Sequence, residues 1–137
     1  MPDPVRDYLR GRGCSDKAIR GGLEYLTGKW ESTAASVAQG QPQYYDHYLN
    51  EVIVRDILAG ALEAAPPEQR DRFEGRVKAA DDLIRSHLLP LGQTLGNEVA
   101  ARRRGYSRGR EWWFYHRPFS IDRSWPERLT APGESLP

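Results

Sequence analysis

Hydrophobic side chains recur at alternating intervals of three and four residues along several stretches of the chain, which is the spacing of one face of an α-helix. The longest series lies within Ser15–Gln39 and runs from Ile19 to Val37. Trp30 is the largest side chain in this series, so we expect it near the centre of the core, with later segments packed around it. Ser15 is predicted to cap the helix, and Gly21-Gly22 to bend it without ending it.

Two more long helices are predicted after this one. They extend over residues 42–64 and about 67–89, and each carries its own apolar series at helical spacing. The connection between them, Ala65-Pro66-Pro67, is short, which favours antiparallel neighbours. A short turn of helix is predicted after Asp3-Pro4, and residues 93–104 allow a further short helix on a weaker pattern.

The segment Glu111–Phe119 is too aromatic to be a loose loop, and the sequence offers no second convincing strand with which it could pair. We therefore expect an extended arm that packs on the helices. The predicted fold is all-α, a three to four helix up-down bundle closed by this extended aromatic C-terminal arm. Residues 1–119 would form a single helical domain and residues 120–137 a mostly irregular tail, with Trp125 as a last apolar anchor.

Composition fits one globular domain. Of the 137 residues, 39% are hydrophobic and 28% charged, and the seven Tyr and four Trp add apolar area to a thin aliphatic core. The single cysteine, Cys14, cannot form an internal disulfide, which fits a reducing compartment. We find no signal peptide and no apolar run that could span a membrane. These features predict a cytoplasmic protein that makes no membrane contact, and the excess of Arg, Ala and Gly indicates a GC-rich bacterial genome.

Positive charge is concentrated near the C-terminus, although the whole chain carries a net charge of only +1. Residues 102–128 contain eight arginines and three acidic residues. This basic quarter can either bind an external polyanion or lie on the acidic helices of its own chain. We favour the second interpretation.

The basic and aromatic residues suggest two kinds of partner. A small, charged chain without recognisable catalytic motifs is typical of an interaction protein such as a regulator, an inhibitor or immunity protein, or an adaptor. The residues predicted to contact a protein partner are Trp112, Trp113, Tyr115 and Arg117.

The alternative is a nucleic-acid-binding protein, because arginines pair with phosphates and aromatic rings stack on unpaired bases. Its contacts would come from Arg102, Arg103, Arg104, Arg108 and Arg110. A homodimer is a further alternative if Trp30 and the aromatic arm are not both buried.

No group of residues points to catalysis, a cofactor or a metal. The three histidines, His47, His87 and His116, are far apart, and neighbours such as Asp81-Asp82 point about 100° apart on a helix. The chain has no nucleophile elbow and no phosphate-binding glycine loop. Cys14 is a conceivable reactive thiol because it lies close to the start of a helix. We favour a non-enzymatic protein, with no catalytic, cofactor-binding or metal-binding residue.

Two pairings are predicted on the second long helix. Glu51 and Arg55 stand four residues apart, which predicts an ordinary ion pair on the helix surface. Asp56 lies near the apolar stripe, and we expect it to be partly buried and to pair with an arginine of the C-terminal arm. That pairing would have a structural role.

Three short motifs follow one another along the chain: Gly22-Leu23-Glu24-x-Leu26 with Trp30-Glu31, then Tyr48-Leu49-Asn50-Glu51 with Arg55-Asp56-Ile57-Leu58, then Trp112-Trp113-x-Tyr115-x-Arg117-Pro118. This order resembles small uncharacterised helical proteins of actinobacteria over roughly residues 15–118. The resemblance implies a cytoplasmic bacterial protein. It implies no activity, ligand or catalytic residue.

Overall fold

Helices make up most of the structure, a computed structural model that describes residues 2–130. The predicted helical class is confirmed, with one small two-stranded antiparallel sheet added to it. Among residues 2–130, no helix combines the length and the apolar character needed to cross a membrane. The elements in chain order are α1 (Pro4–Gly11), α2 (Asp16–Ala38), α3 (Tyr45–Ala64), α4 (Pro67–Arg85), β1 (Leu88–Pro90), α5 (Glu98–Arg103), a first 3-10 turn (Trp112–Tyr115), β2 (His116–Pro118) and a second 3-10 turn (Glu127–Leu129).

Side-chain caps fix where three of the helices begin. The Asp3 side chain accepts a hydrogen bond from the backbone N–H of Arg6 at 3.1 Å, and Ser15 Oγ accepts one from Ala18 at 3.2 Å. Asn97 Oδ1 accepts bonds from the first turn of α5 in the same way. These bonds satisfy amide groups that have no partner within the helix, so the predicted starts at Asp3 and Ser15 are confirmed.

The core is built around α2, as predicted. Trp30 is fully buried, and α2 packs against both α3 and α4. The Trp30 indole Nε1 donates to Asp81 Oδ1 of α4 at 2.8 Å, which satisfies its only polar atom. Burial of an indole of this size makes a large contribution to the hydrophobic stabilisation of the bundle.

The predicted bend in α2 is confirmed at Gly22. This residue has φ 56° and ψ −142°, so the helix is interrupted there and resumes with Leu23. Only glycine adopts such a conformation without steric cost. At the neighbouring Gly21, a Cβ atom would lie 2.3 Å from Tyr25 Cβ, so both glycines are needed to form the bend.

The aromatic segment differs from the predicted extended arm. Residues 112–115 form a 3-10 turn, and residues 116–118 form β2, which pairs with β1 in the register Leu88↔Pro118 and Pro90↔His116. The predicted third long helix ends at Arg85 instead of continuing to residue 89, and this leaves β1 available for pairing. A three-residue strand that contains a proline is too short to show an alternating pattern in the sequence.

Residues 120–130 pack against the start of α3. Ile121 forms a parallel bridge with Gln43, and the Trp125 indole Nε1 donates to the Gln43 carbonyl oxygen at 2.8 Å. Trp125 and Leu129 are buried, which confirms Trp125 as an apolar anchor. The remainder of the predicted tail, residues 131–137, lies outside the described residues.

Candidate functional site

The aromatic turn, residues 112–115, lies inside the protein. Trp112, Trp113, Tyr115 and the adjacent Arg117 expose only between 4% and 9% of their surface. Their contact with a partner stays a prediction, and in this conformation a partner would first meet the groups that cover them. Trp30 is buried as well, so the apolar stripe whose exposure would have favoured a homodimer is covered.

Three arginines cover the rings of the aromatic turn. The guanidinium carbon of Arg55 lies 4.1 Å from the Trp113 ring centroid, and that of Arg85 lies 4.4 Å from the Trp112 centroid. Arg108 lies 5.0 Å from the Tyr115 ring centroid in the same manner. Each such contact contributes about 0.5–2 kcal/mol, depending on how far it is removed from water. The aromatic turn therefore joins α3, α4 and the loop after α5.

Arg55 also forms the central ion pair of the core. Its Nε and Nη2 atoms donate to the two carboxylate oxygens of Asp81 at 2.9 and 2.8 Å. The predicted pair between Glu51 and Arg55 is wrong, because Arg55 turns toward α4 and Glu51 Oε1 lies 3.4 Å from Lys29 Nζ of α2. Both side chains are on the buried face of α3, where partners on other helices are closer than the neighbouring turn.

Asp56 is partly buried, as predicted, but its cationic partner comes from elsewhere. Arg12, at the end of α1, lies 3.5 Å from Asp56 Oδ2, in place of the predicted arginine of the C-terminal arm. The C-terminal region contributes the Tyr106 hydroxyl, which donates to Asp56 Oδ2 at 2.9 Å. Burial raises the pKa of Tyr106, and the bond to the carboxylate acts in the same direction. Tyr106 therefore stays a neutral donor.

The predicted nucleic-acid contacts lie on the surface. They belong to α5 and the loop that follows it, and all five are exposed: Arg102, Arg103, Arg104, Arg108 and Arg110. We call these five residues the arginine segment. Among the described residues, none of the five pairs with an acidic residue of α1–α4. We favoured the interpretation that the basic C-terminal quarter lies on the acidic helices of its own chain, and for this segment that interpretation is wrong.

Two acidic residues that flank the arginine segment, Glu98 and Glu111, accept hydrogen bonds from nearby backbone N–H groups. Glu98 Oε1 accepts from the backbone N–H of Thr94 at 2.9 Å, and Glu111 Oε1 accepts from that of Ser107 at 2.8 Å. Arg110 Nε is also 3.8 Å from Glu111 Oε2. Because these carboxylates support the loop, the surface of the arginine segment is predominantly positive.

A cleft of about 460 Å³ lies where α1, α3 and the loop before the aromatic turn meet. We call it the α1–α3 cleft. Two buried donors among its lining residues, Arg55 Nη1 and Trp113 Nε1, have no hydrogen-bond partner within residues 2–130. Sequence reasoning missed this cleft because its lining residues are far apart in the chain: Tyr8, Arg12, Arg55, Asp56, Ala59, Gly60, Leu62, Glu63, Arg110, Glu111 and Trp113.

A second cleft, of about 510 Å³, lies between α2 and α3. Its lining includes the Lys29–Glu51 pair and the polar side chains of Ser36 and Gln43, which are themselves hydrogen-bonded to each other at 3.1 Å. Glu51 Oε2 is buried without a donor within the described residues. The other carboxylate in the lining, Glu24, is paired with Arg76, so the cleft does not define a ligand.

The surroundings of Cys14, the conceivable reactive thiol, do not activate it. Burial raises the pKa of Cys14, which disfavours the reactive thiolate. Burial lowers the pKa of His116, whose Nδ1 lies 2.9 Å from the Trp112 carbonyl oxygen. Within residues 2–130, no three His, Cys, Asp or Glu side chains come together in a way that could hold a metal ion.

Comparisons with protein-family models, with curated proteins and with solved structures find no match to this chain. The resemblance to actinobacterial helical proteins therefore stays a prediction.

Proposed function

We propose that this chain is a non-enzymatic protein-interaction module of the regulator, inhibitor or adaptor type. In this proposal it binds an acidic surface of a partner protein through the arginine segment. The observation that carries the proposal is the exposure of five arginines within nine residues, on α5 and on the loop that follows it, which the buried aromatic turn supports. Trp112, Trp113, Tyr115 and Arg117 then act by holding the segment in place.

The distribution of aromatic and apolar side chains favours a protein partner over a nucleic acid. Proteins that bind single strands usually stack bases on exposed aromatic rings, whereas the rings of Trp112, Trp113 and Tyr115 are covered by arginines of the same chain. Val99, beside the arginine segment on α5, is 58% exposed. Exposed apolar groups among arginines are typical of protein interfaces, where arginine is enriched.

A charge-reversal experiment tests the proposal. The tagged protein is used to capture partners from the native host, with the triple variant R102E/R103E/R104E beside it. The matched control is R20E/R72E/R123E, which changes three exposed arginines outside the segment. We expect one stoichiometric protein that survives nuclease treatment, is lost from the first variant and is retained by the second. Equal loss from both variants would show that only overall charge matters, and would contradict the proposed surface.

The alternative function, nucleic-acid binding, is supported by the same five exposed arginines. Contacts with phosphates release counterions, so such binding weakens steeply as salt rises. Anisotropy of a labelled oligonucleotide of mixed sequence at about 50 mM salt measures this directly. Binding that disappears in R102E/R103E/R104E would support the alternative, and absence of binding at this salt concentration would exclude it.

The proposal includes the cytoplasmic bacterial setting expected from the lone cysteine and the composition. It also includes an up-down arrangement of the long helices, with the aromatic segment closing the bundle beneath the arginine segment.

A further inference from the structure

We infer that the α1–α3 cleft receives a carboxylate side chain of the acidic partner, an inference that rests on the proposed function. Arg55 Nη1 and Trp113 Nε1 are the donors that would bind it. Arg110 belongs both to the arginine segment and to the lining of this cleft. A partner that covers the segment is therefore positioned to insert an aspartate or glutamate here.

The two donors need an acceptor. Arg55 and Trp113 are both more than nine-tenths buried, and neither Arg55 Nη1 nor Trp113 Nε1 has a partner within residues 2–130. A buried polar group without a hydrogen bond is unfavourable, and it is rare in native proteins. The Arg55 guanidinium carbon lies 4.1 Å from the Trp113 ring centroid, so the two residues that carry these donors are in direct contact.

The donor type favours an anionic acceptor over a neutral one, although the lining itself is balanced, with three arginines against Asp56, Glu111 and the exposed Glu63. Arg55 already binds Asp81 through Nε and Nη2, which leaves Nη1 pointing away from that carboxylate. Of the acidic residues at the rim, Asp56 is held by Arg12 and Tyr106, and Glu111 accepts the bond from Ser107 described above. Hydrogen bonds from a guanidinium are strongest when the acceptor is also charged.

Access to the donors requires movement at the rim. Both nitrogen atoms are closed to solvent in this conformation. The Arg110 side chain is 72% exposed and that of Arg12 is 31% exposed, so Arg110 is the rim arginine with more freedom to move aside. Arg110 would then pair with the entering carboxylate, which adds a second cation to the site.

The test uses the indole N–H signals of the full chain in two-dimensional nitrogen–proton NMR. The probe is a peptide of four glutamates with both ends blocked, and the control is the same peptide built from four glutamines. We expect the glutamate peptide alone to move the Trp113 indole signal, which W113F identifies by its loss. The indole signals of Trp30 and Trp125 should stay in place, because these groups donate to Asp81 and to the Gln43 carbonyl.

Two exposed arginines provide a matched pair of variants. R110Q should weaken the binding of the glutamate peptide about tenfold, as expected for loss of one charge-assisted hydrogen bond. R123Q changes an exposed arginine whose neighbour Ser124 is hydrogen-bonded to the start of α3, away from the cleft, and should leave the affinity unchanged. Equal loss in both variants would overturn the assignment.

Three other results would also overturn the inference. An unchanged Trp113 signal at saturating peptide means that the donors accept no carboxylate. An equal shift with the glutamine peptide means that the acceptor is neutral. A shift seen only with an alanine peptide that carries a free C-terminus means that the cleft binds a chain terminus and not a side chain.

The peptide titration and the partner capture can fail separately. If the Trp113 signal stays unchanged while R102E/R103E/R104E still loses the captured partner, the cleft assignment fails and the proposed function stands. If the Trp113 signal shifts but no partner is captured, the proposed function fails and the cleft still binds a carboxylate.

Discussion

The helical bundle and the C-terminal region are held together by different interactions. In α2, α3 and α4, apolar faces pack together and one partly buried carboxylate, Asp81, joins the three helices through Trp30 and Arg55. In residues 91–130, regular structure is sparse and many backbone carbonyls have no partner within a helix or sheet. Arginine side chains supply the missing donors there.

The contacts of Arg128 show this clearly. It donates to the carbonyl oxygens of Thr94, Leu95 and Gly96 at 3.0–3.1 Å, and to the side chain of Gln93. Arg108 donates to the Leu91 carbonyl at 2.6 Å. Because buried or half-buried carbonyls need donors, the abundance of arginine in this region has a structural use beyond any bias of the genome.

The largest effect is expected from breaking the Arg55–Asp81 pair in the bundle, in which the guanidinium is buried and the carboxylate partly buried. Asp81→Ala removes the acceptor of both Trp30 and Arg55 and leaves a buried guanidinium without its counter-charge. We expect a loss of about 3–5 kcal/mol in the free energy of unfolding, measured by urea denaturation at neutral pH.

Asp82→Ala is the matched control for this change. Asp82 is the next residue along α4, and its side chain is 65% exposed against 15% for Asp81. Its partner is the exposed Lys78, so the free energy of unfolding should change little. Similar losses in the two variants would mean that Asp81 does not organise the core.

A smaller effect is expected from the corresponding change in the C-terminal region. Arg128→Gln removes the donors that serve three carbonyl groups, and we expect a loss of about 1–2 kcal/mol in the free energy of unfolding. Arg128→Lys should restore only part of it, because one ammonium group cannot match the planar guanidinium. Arg123→Gln changes a nearby exposed arginine and should have no effect, so an equal loss there would contradict the role given to Arg128.

The same difference explains what could be predicted from the sequence. The bundle follows helical spacing, so the central position of Trp30 and the bend at Gly22 were both predictable. Pairings on the buried face of α3 were not, since spacing identifies the neighbours of Arg55 on its own helix but not Asp81 on another. The pairing of Asp56 with Arg12 was missed for the same reason.

The C-terminal region was the less predictable of the two. Arginine and aromatic side chains that lie near each other in the sequence are compatible with two structures. They can form a surface that binds a partner, or they can stack on one another inside the same chain. The structure covers Trp113 with Arg55 of α3, and this contact joins residues that are distant in the chain. The α1–α3 cleft depends on the same contact, so no local motif could have indicated it.

The smallest expected effect concerns pH and lies at the junction of the two regions. His116 is half-buried in β2, and burial, together with the positive charges of Arg85 and Arg108, lowers its pKa below the ordinary histidine value. The unfolded chain therefore binds a proton more readily than the folded protein does. Stability contributed by neutral His116 is present above the ordinary pKa of about 6.5 and is lost as the pH falls through it toward the lower folded value.

His116→Gln should remove this part of the pH dependence. Urea midpoints measured for both proteins between about pH 5 and pH 8 provide the comparison, and the wild-type midpoint should fall more steeply on acidification than that of the variant. Parallel profiles would mean that His116 gains its proton without cost, and hence that the arginines around the aromatic turn do not act on it. A steeper wild-type profile would show that His116 is harder to protonate in the folded protein than in the unfolded chain, which is the result expected from its burial first and from the charges of Arg85 and Arg108 second.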